Sequence, residues 1–198
     1  MNVIKIGLLY FSCLLLVACH QPKVDPAETS MSPINWQLLT SESQLSFVTT
    51  KNKTITEEHT IQFHGGYIDD NRQLIVEADL SSVDTNIEIR DQRLKDLLFQ
   101  VDEFPMATIS SQLDRKLPLV EPFTIEFDLD LHGTKKPMTA IVMLQSVGNK
   151  LVVTNFEPVF VHAKDFDLDS GINQLTKIAG LQSIDYSVLV DFKLTFEK

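Results

Sequence analysis

The sequence predicts a mainly β domain, an antiparallel sandwich or barrel of many short strands, with one longer helix and one short one. Three observations predict it. Phe123, Ile125, Phe127, Leu129 and Leu131 alternate with Thr124, Glu126, Asp128, Asp130 and His132. Val188, Val190, Phe192, Leu194 and Phe196 repeat the alternation near the end of the chain. A period of two puts the apolar side chains on one face of a strand and the polar ones on the other. Between Ser82 and Pro105 the period changes, and Ile87, Leu94, Leu97, Leu98 and Val101 fall on one stripe at helical spacing. Pattern alone does not separate a sandwich from a barrel.

Taken in order, Lys5 is followed by an apolar run from Ile6 to Val17. That run is too short to span a bilayer and suits the apolar region of a signal peptide. It ends Leu16-Val17-Ala18-Cys19, which resembles a bacterial lipobox. The resemblance implies that residues 1–18 are a lipoprotein signal peptide. It further implies diacylglycerol on the Cys19 thiol and acylation, palmitate for example, of the amine freed by cleavage. Several acyl chains anchor a protein where one alone holds only marginally. The next residue is His20 and not Asp, which by the sorting rule of enteric bacteria implies the outer membrane, facing the periplasm. Cys13 would leave with the signal, so no disulfide, thiolate nucleophile or cysteine metal site remains. Residues 19–35, polar and carrying Pro22, Pro26 and Pro33, read as a flexible tether.

Residues 36–198 form the domain. Leu45 and Phe47 begin one strand; Ile61 and Phe63 begin another, closed by the turn signal Gly65-Gly66. Leu74 to Leu80, Ala107 to Leu113, Ala140 to Val147 and Leu151 to Phe156 supply more, with Gly148-Asn149 as a hairpin turn. The longer helix starts at a capping box, Thr85 with Glu88, exposes Arg90, Asp91, Arg93, Lys95 and Asp96, and is stopped by Pro105. Ile172 to Leu181 reads as the short helix.

Composition narrows the function. The formal net charge of −10 excludes a basic patch for nucleic acid and attraction to anionic membrane surfaces. Phe is the dominant aromatic, 12 against Tyr 3 and Trp 1, and Phe has no polar handle, so many should face an apolar interior. Asp165, Asp167 and Asp169 fall short of a calcium loop, since Ser170 and Thr176 stand where Gly and Glu are needed; an acidic strand end is expected. The histidines, His20, His59, His64, His132 and His162, lack zinc-protease spacing and are expected to be exposed or satisfied, with His132 and His162 in strands. No nucleophile elbow, P-loop or dinucleotide fingerprint is present. An envelope hydrolase would rest on the clustered Asp and His residues alone, with His162 the residue to substitute. No metal and no catalytic residue is expected.

Two segments then carry a family resemblance. The run from Thr85 to Pro105, T-N-x-x-x-R-D-x-x-L-K-x-x-x-F-x-x-x-x-F-P, and Leu131-His132-Gly133-Thr134-Lys135-Lys136-Pro137 resemble the signatures of the YceI-like family. Gln92 stands where the common family pattern has His. The resemblance extends over roughly Trp36 to Phe196. It implies an eight-stranded, lipocalin-like antiparallel barrel with a helix over Asn86–Gln100 near one end, and a bound isoprenoid lipid in place of a cofactor. On this reading Phe47, Phe63, Ile125, Phe127, Val190 and Phe192 line the interior, and Arg90 is the polar candidate near a barrel end. The expected protein is a non-enzymatic carrier, monomeric once freed of its anchor. A structural or adaptor lipoprotein with a filled barrel is the alternative, and an internal cavity discriminates the two.

Overall fold

In the computed structural model the described residues are 36–198. The segments expected to be a signal peptide and a tether, with Cys19 between them, lie outside these residues. The described chain forms one antiparallel sheet of ten strands that closes on itself. The strands are β1 (Trp36–Leu38), β2 (Gln44–Lys51), β3 (Ile55–Ile68), β4 (Gln73–Asp84), β5 (Met106–Gln112), β6 (Phe123–Leu131), β7 (Thr134–Val147), β8 (Lys150–Asn155), β9 (Val159–His162) and β10 (Ser187–Glu197). Each of β2 to β7 pairs with the next, and β10 closes the ring by pairing with both β8 and β2.

The ring has eight positions, because two of them are each filled by two strands. β1 pairs with the end of β10 (Leu38↔Phe196) and β2 with its beginning (Val190↔Phe47), both along the same edge, with a short 3-10 turn at Thr40–Glu42 between them. On the other edge β8 pairs with the end of β10 (Leu151↔Phe196) and β9 with its beginning (Val159↔Val190), across an interruption at Phe156–Pro158. The architecture is therefore an eight-stranded barrel and not a sandwich. In the first half of β7 the edge away from β6 forms no ladder with β9 among the described residues. Ile141 C=O accepts from Phe156 N–H at 2.7 Å on that edge. Pro137, of the same parity, turns its missing N–H to the unpaired side, where it costs no ladder bond.

One end of the barrel is filled. Leu38, Ile68, Leu113 and Phe196 are buried there, beside the β3–β4 turn. The opposite end carries the helices. α1 (Glu88–Arg93) continues as a π-helix, Leu94–Phe99, and α2 (Asp169–Ile178) packs on it. Gly171 marks the closest approach: a Cβ there would lie 2.6 Å from Leu97 C=O.

Several expectations are corrected. Gly65 and Gly66 lie inside β3, at a shift of register against β4, and the turn is made at Asp69–Arg72, with Arg72 N–H donating to Asp69 C=O. A Cβ on Gly66 would meet Ile75 C=O at 2.8 Å, so the glycine serves close strand approach. The longer helix spans residues 88–99 and ends at left-handed Gln100, before Pro105 is reached. Ile87, assigned to its packed stripe, is 47% exposed. The short helix starts at Asp169 and ends at Ile178. Asp165 belongs to a 3-10 turn and Asp169 to α2, so the acidic run is not a strand end. His132, expected in a strand, sits in the β6–β7 turn with φ 53°, whereas His162 does lie in a strand.

Candidate functional site

The inward faces of the barrel strands enclose a cavity of about 630 Å3. It runs from Leu74, next to the filled end, to Tyr186 at the helical end, and its walls are overwhelmingly apolar. Alternation puts every second residue of each strand inside, and small ones at Ala78, Ala107 and Ala140 leave room between the larger side chains. An eight-stranded barrel is wide enough to hold one ligand when its inward residues do not fill it. Phe47, Phe63, Ile125, Phe127, Val190 and Phe192 all line this cavity.

Arg90 lines it too, at the helical end. There the β2–β3 hairpin, α1 and the segment following α2 frame a mouth. The segment is tied to the hairpin: Asn52 N–H donates to Ser183 C=O at 2.9 Å, and Asp185 N–H to Thr50 C=O at 2.9 Å. Ile87, Ile89 and Tyr186 form an exposed apolar rim at this opening.

The capping box does not form, since Thr85 makes no bond to Glu88 and Ile87 is the N-cap. Asp91 takes the role instead, accepting from Thr85 N–H at 2.8 Å and from the Thr85 hydroxyl. Arg90 closes the knot. Its Nε donates to Thr85 Oγ1 at 2.7 Å, Nη2 to Thr85 C=O at 2.6 Å, and Nη1 to Glu57 Oε2 at 2.8 Å. Lys51 Nζ donates to the same carboxylate at 2.6 Å. The hydrogen bond from Lys51, then the charge of Arg90, hold Glu57 below the usual carboxylate range against the opposing effect of burial. Arg90 thus fastens α1 to the barrel wall.

Sequence reasoning missed two residues here. His59 is 4% exposed and is neither an exposed nor a fully satisfied histidine. Its Nε2 shares a hydrogen bond with Thr49 Oγ1 at 3.0 Å, its ring meets Phe47 edge-on at 5.3 Å, and Nδ1 has no partner. Burial first, and the Arg90 charge second, push its pKa down. The signal was its spacing of two from Ile61 and four from Phe63, the inward parity of β3. The other is Arg93, which lines the cavity beside Arg90 instead of belonging to a solvated face. Arg90 precedes Leu94 by four residues and Leu97 by seven, and Arg93 precedes Leu97 by four. That spacing already puts both guanidiniums on the apolar side of the helix.

The outer surface holds the remaining candidates. Glu126, Asp128 and Asp130 face outward, Asp128 pairing with Lys135 at 3.2 Å. His162 Nδ1 and Ser187 Oγ lie 2.6 Å apart across β9 and β10 on the exposed face, and no carboxylate bonds the other ring nitrogen among the described residues. Among those residues no group of three or more His, Cys, Asp or Glu is arranged to hold a metal.

Comparison with known proteins agrees with this geometry. Residues 36–196 match the YceI-like domain. A polyisoprenoid binding domain from Saccharophagus degradans, implicated in plant cell wall breakdown, is similar in structure with a TM-score of 0.76 and 29% identity, over 84% of this chain and 99% of its own. BcnA of Burkholderia cenocepacia gives a TM-score of 0.60 at 15% identity, over 80% and 98%. The YceI protein of Campylobacter jejuni gives 0.51 at 14% identity, over 76% and 84%. The latter two speak for the fold alone. No curated protein sequence matches the chain. A closed eight-position barrel, a helix-framed mouth and a family match over the whole described domain lead to one assignment: the chain belongs to the YceI-like domain family.

Proposed function

We propose that the protein binds and carries a long apolar lipid, of the polyisoprenoid or quinone type, inside its barrel, and catalyses no reaction. The observation that carries this is the continuous apolar cavity of about 630 Å3 along the barrel axis. That volume falls within the range of ligand pockets. At about 0.8 kcal/mol per buried CH2, each five-carbon prenyl unit contributes roughly 2–4 kcal/mol. A few units outweigh the several kcal/mol lost on association. The similarity to a polyisoprenoid binding domain points to the same class of ligand. The filled barrel of an adaptor lipoprotein fits the cavity less well. The hydrolase reading lacks a nucleophile–base–carboxylate arrangement around His162.

Among the described residues no helix is long and apolar enough to cross a membrane. We assign attachment to acyl chains on Cys19, which would hold the domain on the bacterial envelope, at the outer membrane and facing the periplasm. The carrier reading is tested by extracting and mass-analysing lipid from protein purified out of cells, and by titrating delipidated protein with ubiquinone and with polyprenyl phosphate. Recovery of a stoichiometric prenyl lipid is expected. Protein that is repeatedly empty and binds neither compound would end the proposal.

A further inference from the structure

The charged residues lining the cavity are gathered at the mouth: Lys51, Arg90 and Arg93 against Glu57 and Asp185. Their couplings decide what the mouth can receive. Glu57 is taken by Lys51 at 2.6 Å and by Arg90 at 2.8 Å. Arg90 also spends two further donors on Thr85. Asp185 is exposed to solvent. Arg93 is different. It is half-buried and lines the cavity one helical turn beyond Arg90. Among the described residues its guanidinium makes no ion pair and no hydrogen bond. An uncommitted cation thus stands at the charged end of an apolar cavity, in a protein whose formal net charge is −10. Next to apolar walls a charge is poorly screened, so an anion held there interacts more strongly than it would in water. A guanidinium presents planar paired donors that match a phosphate or carboxylate.

Resting on the carrier reading above, we infer that the ligand is an anionic amphiphile. Its apolar chain lies in the barrel and its phosphate or carboxylate head sits at the mouth against Arg93. Arg90 acts there as a positioning residue. By taking Glu57 and Thr85 it fixes α1 so that Arg93, on the same helix face, points at the opening, and it keeps Glu57 from neutralising Arg93. Ile87 and Ile89 border the same opening and would meet the first carbons of the chain.

The test compares heads on one tail. Delipidated protein is titrated with geranylgeranyl phosphate and geranylgeraniol, and with palmitate and hexadecanol. At low salt the charged member of each pair is expected to bind about tenfold tighter, about 1.4 kcal/mol. The ratio should shrink as salt is raised. Arg93→Gln should narrow the ratio to below about threefold, and Arg93→Lys should keep most of it, since the charge remains. A preference for phosphate alone, or for carboxylate alone, supports the inference and names the head. Equal binding of charged and uncharged partners, or an unchanged ratio in Arg93→Gln, overturns it while leaving the carrier reading standing. Binding of none of the four overturns both.

Discussion

His59 shows how one inward position sets a pH response. Its pKa lies below the ordinary 6.5, because burial and the Arg90 charge disfavour the imidazolium. Well above pH 6.5 the ring is neutral in folded and unfolded chains, and the folded state loses nothing. As the pH falls below that value, the unfolded chain takes up a proton that the folded one refuses, and stability drops until the folded pKa is passed. The melting temperature should therefore fall between about pH 7.5 and about pH 5.5, and His59→Phe should fall less steeply. Parallel slopes in the two proteins would remove His59 from the explanation. Its neighbours Arg90, Glu57, Asp91 and Lys51 are the same in both, and Glu57, held below its usual range, titrates in a lower window. At this scale the sequence was partly legible. The parity of Phe47, Phe63, Ile125, Phe127, Val190 and Phe192 follows from alternation and puts all six on the cavity wall. The Thr85 bonds were not legible, because Glu88 and Asp91 are both near enough to cap and spacing does not rank them.

The helical pair at the mouth depends on a single missing methyl group. Gly171 lets α2 come against the π-helix, where a Cβ would stand 2.6 Å from Leu97 C=O and 2.9 Å from Leu98 Cα. Both are backbone atoms, so the elements must move apart to accept a side chain. Gly171→Ala should cost about 1–3 kcal/mol in urea unfolding, the usual cost of overpacking. Gly65→Ala, with nothing within 4 Å of its Cβ, is the control and should cost well under that. Equal effects at the two sites would mean that helix propensity and strand entropy, not contact, set the outcome. Element existence was readable from the period of the apolar residues, but element ends were not. A change from α to π geometry after Arg93 alters the number of residues per turn. The stripe counted at 3.6 residues therefore drifts, and its two end members lie outside the helix, Ile87 as the exposed N-cap and Val101 after left-handed Gln100. Likewise the alternation reveals β2 and β8 as runs, while β1 and β9, of three and four residues, are too short to show one. It does not reveal that a 3-10 turn and a Pro158 break place them two to a barrel position.

For the molecule as a whole, closure into a ring is a matter of register between distant strands, and no local pattern contains it. The ring closes where β10 pairs with β2, joining residues more than a hundred positions apart such as Phe192 and Leu45, and with β8 on its other edge. The family resemblance supplied what periodicity could not. The proposed anchor belongs to this scale as well. Cys19→Ser should move the protein from the membrane to the soluble fraction, or hold it there as an unprocessed precursor. Mass analysis of the N-terminal peptide distinguishes the two. An unmodified Cys19 in membrane-bound wild type would defeat the assignment.

β1 and the end of β10 lie side by side at the filled end, with Gln37 opposite Glu197, and Trp36 reaches Ile68 beside the β3–β4 turn. The mouth is at the other end of β3, a strand of 14 residues and thus about 45 Å long. Both ends of the domain can therefore be joined to something, a fluorescent protein, a bead or a second barrel, without a linker crossing the opening. A chain of such domains strung end to end would keep every cavity accessible, each filling and emptying independently of how it is held.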